Sequence, residues 1–185
     1  MSRMKLIRRW SLMKAVTEEN IAEHSAQVAQ VAHALAVIAN RIYNKEVDAE
    51  KVALLALYHE SSEVITGDLP TPIKYYNPDI KKAYKAIEKV ANRKLLDMLP
   101  DQLKKDYEPL IDANTKTYEY RLVKAADKLS AYIKCVEELT SGNREFAKAE
   151  ATLRADVDAY CEIEEVKYFC DNFLGSFSKT LDELD

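Results

Sequence analysis

The chain is expected to form an all-α domain, a reading that rests on three features of its 185 residues. Three glycines and five prolines are too few for the many turns of a β-sandwich. Long alanine- and leucine-rich stretches repeat their apolar residues with the 3.6-residue period of a helix. No internal repeat, low-complexity tract or linker interrupts them, so residues 1–185 read as one bundle of about six to eight helices.

The elements follow in order. Thr17 is placed to cap a helix over residues 18–43, with Ile21, His24, Val28, Val31, Leu35, Ile38 and Ile42 on its buried stripe. His33 is nine positions beyond His24, about half a turn out of phase, and should face elsewhere. Asp48 caps a second helix whose residues 52–58 are apolar nearly all round, as expected at the centre of a core. Its end carries His59, Glu60 and Glu63. Residues 67–72 hold a glycine and two prolines and read as a loop. Asn77 and Pro78 start the next helix, with Ile80, Ala83, Ile87, Val90 and Met98 as its apolar residues. A short helix should follow Pro100. Another over residues 117–141 turns Leu122, Leu129, Ile133 and Val136 inward and ends at Gly142 and Asn143. Phe146, Leu153 and Val157, then Val166, Phe169 and Phe173, mark two final helices.

A net charge of −4 gives no global attraction for a nucleic acid polymer or an anionic membrane. The exception is local: Arg3, Lys5, Arg8, Arg9 and Lys14 precede the first acidic residue, Glu18. No apolar run resembles a signal peptide or could span a bilayer. Cys135, Cys161 and Cys170 are odd in number and lack C-x-x-C spacing, which suits apolar residues in a reduced, cytoplasmic protein.

Four metal-ligand types sit far apart on separate helical segments: His24, the adjacent His59 and Glu60, and Asp127. A bundle can bring such positions together around a divalent ion. Ionisable groups on buried faces need partners, because desolvating a lone charge costs several kcal/mol. A metal is one partner, and a histidine–carboxylate hydrogen bond is the other. Several known motifs are absent. Glu63 stands where a zincin needs its second histidine. No histidine has a glutamate three positions before it, as a di-iron bundle needs, and nothing matches a P-loop or a dinucleotide fingerprint.

Residues 9–13 (RWSLM), 23–25 (EHS), 53–63 (ALLALYHESSE), 66–72 (TGDLPTP) and 124–127 (KAAD) resemble the bacterial HD-domain 5′-deoxynucleotidases, over about residues 3–145. The resemblance implies a helical HD-type bundle acting as a metal-dependent phosphomonoesterase on deoxyribonucleoside 5′-monophosphates. It places His24, His59, Glu60 and Asp127 on the ligands of one divalent ion of the cobalt, manganese or copper type. Arg9 falls on the phosphate-orienting arginine and Glu63 on the carboxylate that activates water. Trp10 falls on the residue that crowds the 2′ carbon, and Asp68 on the sugar-binding aspartate. Leu69, Pro70 and Thr71 continue that substrate loop. By position alone, Tyr75 and Tyr76, just past it, could stack on a base, with core packing expected for at least one of them. A cytoplasmic homodimer is implied as well. One position departs from the pattern: the family's adjacent His-Asp is His59-Glu60 here, one methylene longer, and Glu60 is expected to remain a ligand. The alternatives are an HD-type phosphohydrolase for another nucleotide, or a metal-binding helical protein whose catalysis is impaired by Glu60.

Overall fold

Two glutamates and an asparagine cap decide where the chain enters its first helix. The computed structural model describes residues 1–74 and 76–184, so the stacking expectation for Tyr75 falls outside the described residues. Helix α1 (Ile21–Ile42) starts after Asn20, whose side chain accepts from the Ala22 and Glu23 amides while the Glu23 carboxylate accepts from the Asn20 amide. Thr17 is therefore not the cap. Its amide, like that of Val16, is held instead by Glu138 from across the bundle. Ile21, Val28, Val31, Leu35 and Ile38 are buried, and His33 is exposed. Ile42 stands outside the core at 48% exposure, where the helix outruns its neighbours.

Asp48 caps α2 (Ala49–Tyr58) through the Lys51 amide. This helix buries one stripe, Val52, Leu55 and Ala56, while Leu54 and Leu57 stay exposed, so it lies at the side of the core rather than its centre. The expected loop is flanked by two single turns, α3 (Glu63–Thr66) just before it and α4 (Thr71–Lys74), which begins at its end. Gly67 ends α3 with φ +71°, in the left-handed region that glycine enters without a Cβ clash. Asn77 caps α5 (Pro78–Asp97), with Pro78 in its first turn.

The apolar residues expected to face inward on α5 do not. Ile87, Val90 and Met98 are exposed, and the buried set is Tyr84, Ala91, Leu95 and Leu96. The reason is the partners: α5 rests on α3, α4 and α6 (Asp101–Ile111), away from the main core. The Tyr84 hydroxyl there reaches the Gly67 carbonyl and the Thr66 hydroxyl. Leu95, Leu96 and Ile111 form a small separate cluster with Tyr58, Val64, Leu99 and Tyr107.

Helix α7 (Tyr118–Thr140) runs through the main core under a Thr117 cap and closes at Gly142, φ +83°. Leu122, Leu129 and Ile133 are fully buried against Val28, Leu35 and Val52 of α1 and α2. Helices α8 (Ala147–Tyr160) and α9 (Glu164–Asn172) complete the shell with Val157, Val166 and Phe169, leaving Phe173 exposed. Of the three thiols, Cys135 is buried, and the sulfurs of Cys161 and Cys170 lie 3.8 Å apart. Among the described residues there are seven longer helices, two single turns and no strand, only an isolated bridge between Arg8 and Asn20.

One buried ion pair ties the N-terminal segment to this frame. Glu138 takes the Lys134 ammonium at 2.6 Å, the Val16 and Thr17 amides at 2.8 and 3.1 Å, and the Asn143 amide group at 2.7 Å. Burial would raise its carboxyl, but the hydrogen bonds from Lys134, Val16 and Asn143 outweigh burial and hold it down at about 2. Glu138→Ala would leave the Lys134 ammonium buried without its partner, and such losses cost about 3–5 kcal/mol. We expect that loss in urea unfolding at neutral pH. Because the folded carboxyl lies below its ordinary value of 4.5, its contribution is present above that pH and is lost as pH falls toward 2. The destabilising effect of Glu138→Ala should accordingly shrink over that acid range.

Candidate metal centre

Three helices deliver one side chain each to the same point. His24 lies in the first turn of α1, His59 at the end of α2 and Asp127 midway along α7. One ligand atom from each lies within 4.8 Å of the other two. Asp127 Oδ1 is 3.1 Å from His24 Nε2 and 3.8 Å from His59 Nε2. Glu60 approaches from the side, with Oε1 3.3 Å from His59 Nε2 and outside that closest set. His59 Nδ1 sits 2.6 Å from the Ala56 carbonyl, where it donates its proton, so in the neutral ring it is Nε2 whose lone pair faces the cluster. Exposed His33 takes no part.

The charges here are packed tightly enough to move one another. Burial lowers His24, and the Arg9 charge lowers it further. Burial also opposes a charged His59, but the Glu60 and Asp127 carboxylates outweigh it and raise the imidazole to about 9. For Asp127 and Glu60, burial is overcome by cations: Lys124 and the histidines hold Asp127 low, and His59 and Lys124 hold Glu60 low. Glu63, buried at the start of α3, is pushed up to about 10 by burial and then by the Glu60 carboxylate beside it. Crowded carboxylates beside imidazoles that can give up a proton to a metal are a donor set that a divalent cation would relieve. The orphaned atoms agree with that fit. His24 Nδ1, His59 Nε2, Glu63 Oε2 and Arg9 Nη1 are buried with no hydrogen-bond partner among the described residues.

Beside the cluster, residues 7–10 run antiparallel to the chain entering α1. The Arg9 amide donates to the Glu19 carbonyl and the Ile21 amide to the Ile7 carbonyl. Glu19 then gathers the functional side chains. Its Oε2 accepts from the Trp10 indole at 2.9 Å and lies 3.3 Å from Arg9 Nη1, while Oε1 lies 3.9 Å from His24 Nδ1. Trp10 has φ +57°, unusual for a bulky residue, and its ring rests on buried Phe146 at 5.3 Å. Sequence reasoning missed Glu19, and its neighbours Glu18 and Asn20 gave no signal that this carboxylate alone turns inward.

Asp68 is half-buried between α3 and α4; burial raises its carboxyl, and the charge of Arg9 offsets part of that rise. Leu69 and Pro70 are half-buried and Thr71 is exposed, with no hydrogen bond or ion pair to the cluster among the described residues. Tyr76 is 78% exposed. A cavity of about 940 Å³ opens from His59 and Glu60 between α5 and α7.

Known proteins resemble this arrangement along its whole length. The model of a family described as 5′-deoxynucleotidase YfbR-like matches residues 1–177. A 5′-deoxynucleotidase of Photorhabdus temperata is 54% identical over 185 residues, covering all of this chain and 93% of that protein. An HD-domain phosphohydrolase from Listeria innocua superposes with a TM-score of 0.83 at 24% identity, over 95% of this chain and 85% of that one. A cyanophage S-2L HD phosphohydrolase, solved with dA and one catalytic Zn2+ ion, gives 0.68 at 18% identity, over 95% and 94%. These two structures share the helical fold, and the sequence match supplies the narrower relationship. The chain belongs to the YfbR-like 5′-deoxynucleotidase family, built on the all-α HD-domain fold.

Proposed function

We propose that the protein is a metal-dependent 5′-deoxyribonucleotidase, a phosphomonoesterase that converts deoxyribonucleoside 5′-monophosphate and water into deoxyribonucleoside and phosphate. The observation that carries this reading is the meeting of His24, His59 and Asp127 within 4.8 Å, beside buried Glu63 and Arg9, each with a polar atom, Oε2 and Nη1, that makes no hydrogen bond among the described residues. Residues 1–185 act as one HD-type unit. His24, His59, Asp127 and Glu60 would hold the ion. The resemblance to the deoxynucleotidases implies cobalt, manganese or copper, and the two imidazoles fit a transition metal. When bound, the ion supplies positive charge that polarises a phosphate oxygen and acidifies a water.

The chain's own groups do the rest. The Arg9 guanidinium, held by Glu19, presents a planar fork to two phosphate oxygens. Glu63 takes the proton of the attacking water as the bond from phosphorus to the 5′ oxygen breaks. Burial, and then the Glu60 charge, keep Glu63 protonated, and a cation held by Glu60 would relieve the second of these. Trp10 crowds the 2′ carbon and excludes a ribose hydroxyl. Asp68 accepts from a sugar hydroxyl, and Leu69, Pro70 and Thr71 border the sugar. The protein acts as a cytoplasmic homodimer. No described helix is long and apolar enough to cross a membrane, and the exposed Leu54–Leu57 and Ile87–Val90 faces leave apolar surface for a second copy.

Glu63→Gln should bind cobalt or manganese as the parent does and lose about 10²- to 10⁴-fold in single-turnover phosphate release. Near-parental chemistry would remove Glu63 as the base. Glu60→Asp should retain metal affinity and activity, whereas Glu60→Ala should weaken both by isothermal titration and turnover. Equal metal affinity in Glu60→Ala would show that Glu60 is not a ligand. Glu19→Ala frees both Arg9 and Trp10, so we expect a higher KM for deoxynucleotide and a smaller deoxy-to-ribo ratio of kcat/KM. Glu19→Gln, which keeps an acceptor for the indole, should restore most of the ratio but less of the KM.

A further inference from the structure

Two of the three thiols meet away from the metal centre. Cys161 sits in the turn that follows α8, and Cys170 lies near the end of α9. Their sulfurs are 3.8 Å apart, from positions nine apart in the chain. A disulfide bond is about 2.05 Å long, so the gap closes with less than about 2 Å of movement. One partner stands in a turn, where such a shift breaks no helix. Both thiols are half-buried, whereas Cys135 is enclosed within α7. An open cavity of about 360 Å³ between α7, α8, α9 and the tail borders Cys170, so water reaches the pair from that side. Arg154 lines the cavity, and Lys167 stands one turn before Cys170, 2.8 Å from the Asp171 carboxylate and close enough to feel both sulfurs. Cations beside a partly exposed thiol favour its thiolate, the form that attacks an oxidant. Burial, and then the Cys161 sulfur, push the Cys170 thiol up to about 12, so Cys170 is not the one that ionises first. Among the described residues no histidine or carboxylate joins the two sulfurs in a metal-sized group, so the pair is suited to redox chemistry rather than to a metal.

We propose that Cys161 and Cys170 are a modification site, a dithiol that hydrogen peroxide converts to a disulfide and that small thiols restore. The Cys161 thiolate attacks the O–O bond; one oxygen stays on sulfur as a sulfenic acid, and the other leaves as hydroxide and takes a proton to become water. The Cys170 sulfur then attacks the sulfenic sulfur, the S–O bond breaks, and the departing oxygen leaves with the Cys170 proton as a second water. Two thiols and one peroxide thus give one disulfide and two waters, with two electrons passing from sulfur to oxygen. In a reducing compartment the pair rests as the dithiol. Oxidation staples the end of α8 to α9, whose first turn is already held by Lys45 on Glu165 at 2.8 Å. The closed loop of about ten residues restricts the unfolded chain, so the oxidised form is the more stable one.

The test counts thiols. The reduced parent, the single variants Cys161→Ser and Cys170→Ser, and the double variant are exposed to a few equivalents of hydrogen peroxide, quenched with catalase, unfolded and titrated with a thiol reagent. The parent should fall from its three free thiols to one, Cys135, and dithiothreitol should return all three. Non-reducing peptide mapping should recover a link through Cys161 and Cys170 within one chain. With dimedone present, Cys170→Ser should carry the sulfenic acid adduct on Cys161, and Cys161→Ser should carry about tenfold less on Cys170. The melting temperature of the parent should rise by about 5–10 °C on oxidation, a shift the double variant should not show. An adduct as abundant on Cys170 would overturn Cys161 as the attacking thiol. Three free thiols after peroxide, a link through Cys135 or between two chains, or an unchanged melting temperature on oxidation would overturn the staple.

Discussion

Asp127 divides its two oxygens between opposite kinds of neighbour. Oδ1 faces the two imidazoles and Oδ2 accepts from Lys124, one turn earlier on α7. A lone carboxylate at this depth would be driven toward its neutral form, so the lysine is what keeps it an anion. The two histidines are in turn kept where they are by α1 and α2, which meet α7 through fully buried side chains such as Leu35, Val52 and Leu129. The site is therefore a by-product of how three helices cross. Moving any one of them by a fraction of a turn would separate donors whose bonds to an ion are only about 2.0–2.6 Å long.

The N-terminal segment is held differently. It has little core of its own, with Met4 its one buried apolar residue before α1. Polar anchors replace apolar area: Glu138 fixes residues 16 and 17, Asn143 takes the Lys14 carbonyl, and Glu19 fixes Arg9 and Trp10. Hydrogen bonds to a charged acceptor are directional, so they set orientation better than burial would.

Much of this was legible in the sequence, for reasons that differ by residue. His24 was readable because a histidine on an otherwise apolar stripe is costly, and His59 and Glu60 because they end the most apolar run in the chain. Asp48, Asn77 and Gly142 announced helix ends through local chemistry alone. What failed depended on partners distant in sequence. Asn20 displaced Thr17 as a cap because Thr17 is engaged by Glu138, 121 residues away. The apolar face of α5 pointed outward because the helix lies over α3, α4 and α6, where Tyr84 and Leu95 make the contact, and periodicity cannot say which of two faces meets a neighbour. Glu19 was invisible for the same reason, its partners being set by a chain reversal that no periodic pattern records.

The left-handed backbone at Trp10 has a consequence for observation. A bulky residue in that region is held by its surroundings, here the Glu19 carboxylate and the Phe146 ring. It is also the chain's sole tryptophan. Its indole N–H is bonded to a carboxylate and an arginine lies 5.7 Å from the ring, so its emission senses the field of that charge pair. Tryptophan emission, excited selectively over the eleven tyrosines, is thus a single-site optical probe, sensitive to the surroundings of Arg9 and Glu19.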